Sequence, residues 1–242
     1  MAGVAEKVVL LHGFTQTGRS WERVERMAKQ AGHALATPDL RGHGASAAVR
    51  PVDFAHVVAD VAALAENAVL CGYSMGGRVA LHTALAHPER VRRLVLISTT
   101  PGIEDAAQRA QRRAADEALA TEIERDGIEA FAARWGAQPL LAGLPADAAQ
   151  AARADRLRNE GPGLAAALRG LGTGVMEPVW DRLDQLRMPV AVLAGEQDAK
   201  FVAIAHRLAG ALPDASLVVV PGAGHALHLE APPEVAAALS GR

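Results

Sequence analysis

The stretch Val69-Leu70-Cys71-Gly72-Tyr73-Ser74-Met75-Gly76-Gly77-Arg78 constrains the fold more than any other part of the chain. An apolar run with the character of a buried strand ends in the pattern G-x-S-x-G. It passes at once into Arg78-Val79-Ala80-Leu81-His82-Thr83-Ala84-Leu85, which has helical composition. So short a passage from strand to helix forces a tight, strained turn. Gly72 and Gly76 clear space around it, and Ser74 is held at its apex with the hydroxyl projecting from the sheet. The free N–H groups of the following helix point at the same spot, so negative charge developing beside Ser74 would be stabilised there. A chance glycine-rich turn produces the same letters. A catalytic reading therefore needs a base and a carboxylate elsewhere in the chain.

On either side of this elbow the chain alternates short apolar runs with helical patterns. Lys7–Leu11, His33–Thr37, Ala68–Cys71, Arg93–Ile97, Pro189–Ala194 and Ser216–Val220 read as strands, and the segments between them as helices. In the first helix, Thr17 to Gln30, the apolar spacing assigns Trp21, Val24 and Met27 to the buried face. Runs apolar throughout, separated by helices, predict a mostly parallel sheet of about six strands covered on both faces. The rhythm breaks at Pro101-Gly102. From there to Met176 only helical patterns rich in Ala, Arg, Glu and Leu occur. Residues 102–176 are therefore expected to form a helical cap inserted in a core made of 1–101 and 177–242. With 242 residues, half of them apolar, the chain can bury one sizeable core.

Catalytic groups on a parallel sheet gather beyond the carboxyl ends of its strands, which narrows the search for partners of Ser74 to post-strand loops. One such loop holds Gly195-Glu196-Gln197-Asp198 and another Pro221-Gly222-Ala223-Gly224-His225. Asp198 is favoured over Glu196 because it lies further beyond the strand end, and His225 over His228 because it directly follows a glycine turn. The order Ser74, Asp198, His225 is that of the α/β-hydrolase fold. The turn His12-Gly13-Phe14 matters for its backbone: the N–H groups of Phe14 and Met75 are the candidate oxyanion hole, although Gly13 is also explained as a plain turn residue. His12 and His43, in neighbouring turns, read as structural hydrogen-bonders.

Composition removes other classes. A formal net charge of -2, from 25 basic and 27 acidic residues, argues against a polyanion-binding or membrane-surface protein, so nucleic acid is not expected as a partner. No window approaches a membrane span, and the start shows no basic region followed by a long apolar stretch; a soluble, cytoplasmic protein is expected. The single cysteine, Cys71, cannot form an intramolecular disulfide and reads as core, and no Cys/His pair has metal-ligand spacing. No metal is expected.

Five segments together resemble a known family. They are Leu11-His12-Gly13-Phe14, Gly72 to Arg78, the cap opening Pro101-Gly102-Ile103 through Gln108 to Arg112, Gly195 to Phe201, and Gly222 to Glu230. They are similar to the 2-succinyl-6-hydroxy-2,4-cyclohexadiene-1-carboxylate synthases of menaquinone biosynthesis, over nearly the whole chain. The elbow and triad are common to the superfamily; the arginine after the double glycine and the cap pattern are the specific part. The family's usual extra N-terminal strand pair has no room before His12.

The resemblance implies a carbon–oxygen lyase without a cofactor, in which Ser74, activated by His225 and oriented by Asp198, acts as a base. It implies a small polycarboxylate substrate bound by Arg78, Arg112 and Arg158, with Tyr73 and Trp135 at pocket positions, and a monomer or weak dimer. Arg78 has a physical argument of its own. In the first turn of a helix a cation opposes the macrodipole, so propensity gives no reason for it and a ligand carboxylate does. Arg112 is otherwise explained as part of a solvated face with Arg109 and Arg113, and the two aromatics as packing. A serine hydrolase with the same triad, and a ligand-binding protein with its triad idle, are the other classes left open.

Overall fold

The computed structural model describes residues 6–138, 141 and 143–241. Its centre is a six-stranded, wholly parallel sheet in the order β2-β1-β3-β4-β5-β6. The strands are β1 (Lys7–Leu11), β2 (Ala34–Ala36), β3 (Ala68–Tyr73), β4 (Val91–Ile97), β5 (Val190–Gly195) and β6 (Ala215–Val220). The number expected from the sequence is the number found. The central strand β3 is buried at every residue, whereas the edge strand β6 alternates, as a strand half open to solvent must.

Alternation along each strand divides the core in two. Val9, Leu11, Leu70, Leu94, Leu96 and Val192 face α2 (Phe54–Leu64), α3 (Met75–Ala86) and α7 (Ala199–Ala211). Val8, Leu10, Val69, Cys71, Val95 and Ile97 face the opposite side, covered by α1 (Glu22–Gln30) and α9 (Pro232–Leu239). Cys71 is therefore core, as read. Met27 is not. Trp21, Val24 and Ala28, at i, i+3 and i+7, form the buried stripe of the first helix, and Met27, one position off its centre, is exposed.

Between β4 and β5 lie the cap helices α4 (Ala106–Gly136), α5 (Ala146–Arg156) and α6 (Gly161–Leu171). Ala120, Ile123, Phe131, Leu164 and Leu168 form their own small core, to which Phe14 of the sheet domain adds its ring. Helix α4 is two helical segments joined across a kink at Gly127, whose φ of 78° and ψ of 172° are not helical. After β6 comes the short α8 (Leu227–Glu230), which the sequence pattern does not announce.

Candidate active site

Ser74 stands where β3 gives way to α3, with φ 51° and ψ -107°, a backbone conformation a side chain rarely adopts. Its surroundings over-determine that strain. The Ser74 N–H donates to Ile97 O (2.9 Å) and the Thr99 hydroxyl to Ser74 O (2.8 Å), while any Cβ on Gly72 or Gly76 would collide with backbone of the elbow or of β1. The hydroxyl consequently points to one place. There, His225 Nε2 lies 3.3 Å from Ser74 Oγ, and His225 Nδ1 donates to Asp198 Oδ2 at 2.6 Å.

Both loops that bring these partners are pinned by groups the sequence reading passed over. Glu230 accepts from the N–H groups of Gly224 (2.6 Å) and Ala226 (2.8 Å), bracketing His225. The rejected acid, Glu196, accepts from Gly222 N–H (2.9 Å) and so closes the same turn from outside. The rejected base, His228, is buried between Trp21 and Tyr73, with ring centroids 4.8 Å and 4.3 Å away. His12 donates from Nδ1 to Gly13 O (2.9 Å) and accepts Leu40 N–H at Nε2 (3.0 Å), which makes it the structural hydrogen-bonder expected.

Burial has a consequence for stability. Desolvation, then the neighbouring imidazole, pushes the pKa of His43 and of His228 down from 6.5 to about 3. The unfolded chain takes up these protons once the pH falls below 6.5, and the folded chain refuses them until about 3. Stability is thus fully present above that window and is lost through it on acidification, on the order of 1 kcal/mol per pH unit for each imidazole. Urea unfolding at pH 7 and pH 5 should show the loss, and His228→Phe, which keeps the aromatic packing, should show less of it. An equal loss in the variant would remove His228 from this account.

Ser74 and His225 open onto a cavity of about 250 Å³ under the cap, lined also by Phe14, Met75, Arg78, Arg112, Asp116, Trp135 and Lys200. Trp135 stands edge-on to Phe14, with ring centroids 5.3 Å apart. Arg78, in the first turn of α3, is buried; its Nη1 donates to the Thr173 hydroxyl and its Nε has no partner among the described residues. Desolvation first, and Arg112 second, lower its pKa to about 10, which still leaves it cationic at neutral pH. Arg112 donates from Nε to Asp116 Oδ1 at 2.8 Å, which holds its guanidinium at the cavity, although its side chain is still 45% exposed. Three cations therefore meet one partly satisfied carboxylate around a serine–histidine pair, an arrangement suited to an anionic ligand.

Two expected pocket residues are elsewhere. Arg158 lies 3.9 Å from Asp155 and lines a separate surface cavity with Arg19 and Arg23. Arg158 lies past the C-terminus of α5 and is exposed, whereas Arg156, in the last turn of that helix, is 5 % exposed, with Nη1 donating to Ala132 O (3.4 Å) and Nε unpartnered among the described residues; it does not line the cavity of Ser74. Tyr73 is buried beneath the site, its ring over Gly13 and 5.3 Å from that of His225; it packs and does not line the cavity. Lys200, Asp116 and Arg156 were not singled out from the sequence. Asp116 was findable four residues after Arg112.

No helix among the described residues is long and apolar enough to cross a membrane. The profile of the alpha/beta hydrolase family matches residues 8–238. A Klebsiella pneumoniae 2-succinyl-6-hydroxy-2,4-cyclohexadiene-1-carboxylate synthase is 35% identical over 96% of this chain and 92% of its own length. A Bacillus subtilis protein that carries the same name provisionally is 39% identical over 94% of this chain and 86% of its own. Among solved structures, MenH from S. aureus superposes with a TM-score of 0.91 at 33% identity, covering 98% of this chain and 92% of that one. A match at that identity over almost the full length of both chains extends through the cap as well as the sheet, so the chain belongs to the alpha/beta hydrolase family and, within it, to the 2-succinyl-6-hydroxy-2,4-cyclohexadiene-1-carboxylate synthases.

Proposed function

We propose that the chain eliminates pyruvate from 2-succinyl-5-enolpyruvyl-6-hydroxy-3-cyclohexene-1-carboxylate, giving 2-succinyl-6-hydroxy-2,4-cyclohexadiene-1-carboxylate. The observation that carries this reading is one cavity holding the Ser74–His225 pair and the buried, incompletely partnered Arg78. A hydrolase acting on neutral esters has no use for such a cation; a substrate with three carboxylates does.

In this mechanism the Ser74 hydroxyl, its own proton held by His225, removes the ring proton next to the succinyl ketone. The carbanion's charge passes to the ketone oxygen, held by the N–H groups of Phe14 and Met75. As the electron pair returns to form the C2=C3 double bond, the existing C3=C4 double bond shifts to C4=C5 and the C5–oxygen bond to the enolpyruvyl group breaks, and the departing enolate takes the proton from His225 and leaves as pyruvate. Asp198 fixes the imidazole tautomer and offsets its charge throughout. Arg78 and Arg112 anchor carboxylates. No redox change or group transfer occurs, and no cofactor enters the scheme.

The alternative, a carboxylic-ester hydrolase, draws support from an esterase of Thermogutta terrifontis, 26% identical with a TM-score of 0.85, and from the fact that an elbow serine suits acylation as well as deprotonation. The two readings differ in what bonds to Ser74 Oγ. Intact-protein mass spectra quenched during turnover of the enolpyruvyl substrate are expected to show the unmodified mass, because a base carries only a proton. An activated ester should leave some acyl-enzyme and turn over slowly. A substrate-derived adduct on Ser74, or ester hydrolysis faster than pyruvate release, would promote the hydrolase.

A further inference from the structure

The loop from His12 to Thr17 carries Phe14, and it is not rigid by its own sequence. Thr15 has φ 72°, in the left-handed region that a β-branched residue resists, so neighbours must impose the conformation. Within the loop, Gln16 ties both ends of Gly13: its Oε1 accepts Gly13 N–H (3.2 Å) and its own N–H donates to Gly13 O (3.2 Å). His12 Nδ1 also donates to Gly13 O (2.9 Å), and further ties come from the cap. Asn159, 3 % exposed, donates from Nδ2 to Thr15 O at 2.9 Å and accepts Gly44 N–H at Oδ1 (3.0 Å). Asp155, 6 % exposed, accepts Thr17 N–H (2.9 Å) and the Thr17 hydroxyl. The Gly13–Phe14 peptide that carries the Phe14 N–H is thereby held from within the loop by His12 and Gln16, and the chain just beyond it, at Thr15 and Thr17, is held by two residues of the corner between α5 and α6.

We propose that Asp155 and Asn159 are positioning residues through which the docked cap sets the Phe14 N–H, so that the oxyanion hole is complete only when this corner is seated on the loop after β1. Neither side chain lines the cavity of Ser74. Their effect must therefore pass through backbone geometry, where a misplacement of about 1 Å is enough to cost a large part of the donor's contribution. The same corner is pressed close elsewhere, since a Cβ on Gly163 would meet the backbone of Gly42 and Ala47, so the cap has little freedom to shift and keep these bonds. The inference rests on Phe14 N–H being an oxyanion donor, but not on which substrate supplies the oxyanion.

The experiment compares Asn159→Asp, Asn159→Ala and Asp155→Asn with wild type in two reactions: pyruvate release from the enolpyruvyl substrate, and hydrolysis of 4-nitrophenyl acetate. Asn159→Asp keeps an acceptor for Gly44 but has no donor for Thr15. It should lose about 10- to 100-fold in kcat in both reactions with KM little changed. Because the new carboxylate is buried against the carbonyls of Thr15 and Arg156, it should also melt lower, so the rates are compared at a temperature where every variant is folded. Asp155→Asn should lose in parallel but less, because one acceptor oxygen remains. A kcat within about twofold of wild type in both reactions, or a loss confined to elimination or to KM, overturns the proposal and makes Asn159 a structural or substrate-binding residue. If Asn159→Ala does not fold, the two isosteric variants carry the test. If wild type eliminates no pyruvate, the lyase reading fails on its own, and the ester reaction still decides this one.

Discussion

Ser74→Ala, His225→Ala and Asp198→Asn are each expected to lower kcat for pyruvate release by about 10³-fold or more, and the Ser74→Ala/His225→Ala double variant is expected to be hardly slower than the worse single. The geometry explains why the losses should not add. Ser74 Oγ contacts His225 Nε2 (3.3 Å) and His225 Nδ1 contacts Asp198 Oδ2 (2.6 Å), so the proton path is a single chain and cutting it once cuts it entirely. Asp198 offers a control for folding. Its other oxygen caps α7 by accepting Phe201 N–H (3.3 Å), a task asparagine performs as well as aspartate. Asp198→Asn should accordingly unfold at an unchanged temperature while losing activity, since the amide cannot offset the imidazolium that forms during turnover. Steady-state kinetics on all four variants, with thermal melts, check this. Multiplicative losses in the double variant would mean that serine and histidine act independently, and the triad reading would fall.

The parts of this molecule that were legible in the sequence share a physical property: they depend on position along the chain. A strand buried on both faces is apolar throughout, so Val69 to Cys71 or Leu94 to Ile97 can be recognised without knowing their neighbours. The triad was legible for a related reason, because loops following parallel strands converge in space whatever lies between them. Asp198 and His225 needed only to be assigned to such loops.

Side-chain direction was less legible because it depends on helix phase. Met27 and Ala28, three and four positions after Val24, both fit an apolar stripe, and it is Ala28, seven after Trp21, that is buried. In the cap, the buried Arg156 ends α5 and the exposed Arg158 lies two positions on, in the non-helical stretch before α6, where there is no helical register from which to choose between them. Tyr73 fails differently. Within the elbow, one residue separates a side chain above the sheet from one below it, and Ser74 takes the upper place. Asn159 and Asp155 were invisible as partners because every group they hold in the core is more than 100 positions away in the sequence.

Arg78→Met is expected to lower kcat/KM for pyruvate release by about 2 to 5 kcal/mol, roughly 30-fold to several thousand-fold, without destabilising the fold. The two halves of that expectation have one cause. Arg78 is buried in the first turn of α3, where the helix dipole opposes it, with Arg112 raising the cost further and Asp116 only partly offsetting it. Its Nη1 has the Thr173 hydroxyl, but its Nε has no acceptor among the described residues. A buried, under-partnered cation costs folding free energy. Methionine fills similar space with no charge to desolvate, so the variant should melt at the same temperature or higher. On the proposed lyase reading, that cost is offset when a substrate carboxylate enters the cavity of Ser74, which Arg78 lines. Arg78→Lys should recover part of the affinity as a point charge but not the forked hydrogen bonding. Hydrolysis of 4-nitrophenyl acetate, which has no carboxylate to bind, should be nearly unaffected by either change. A fall in melting temperature with unchanged kcat/KM would make Arg78 a structural residue, and the polycarboxylate substrate would lose its principal anchor.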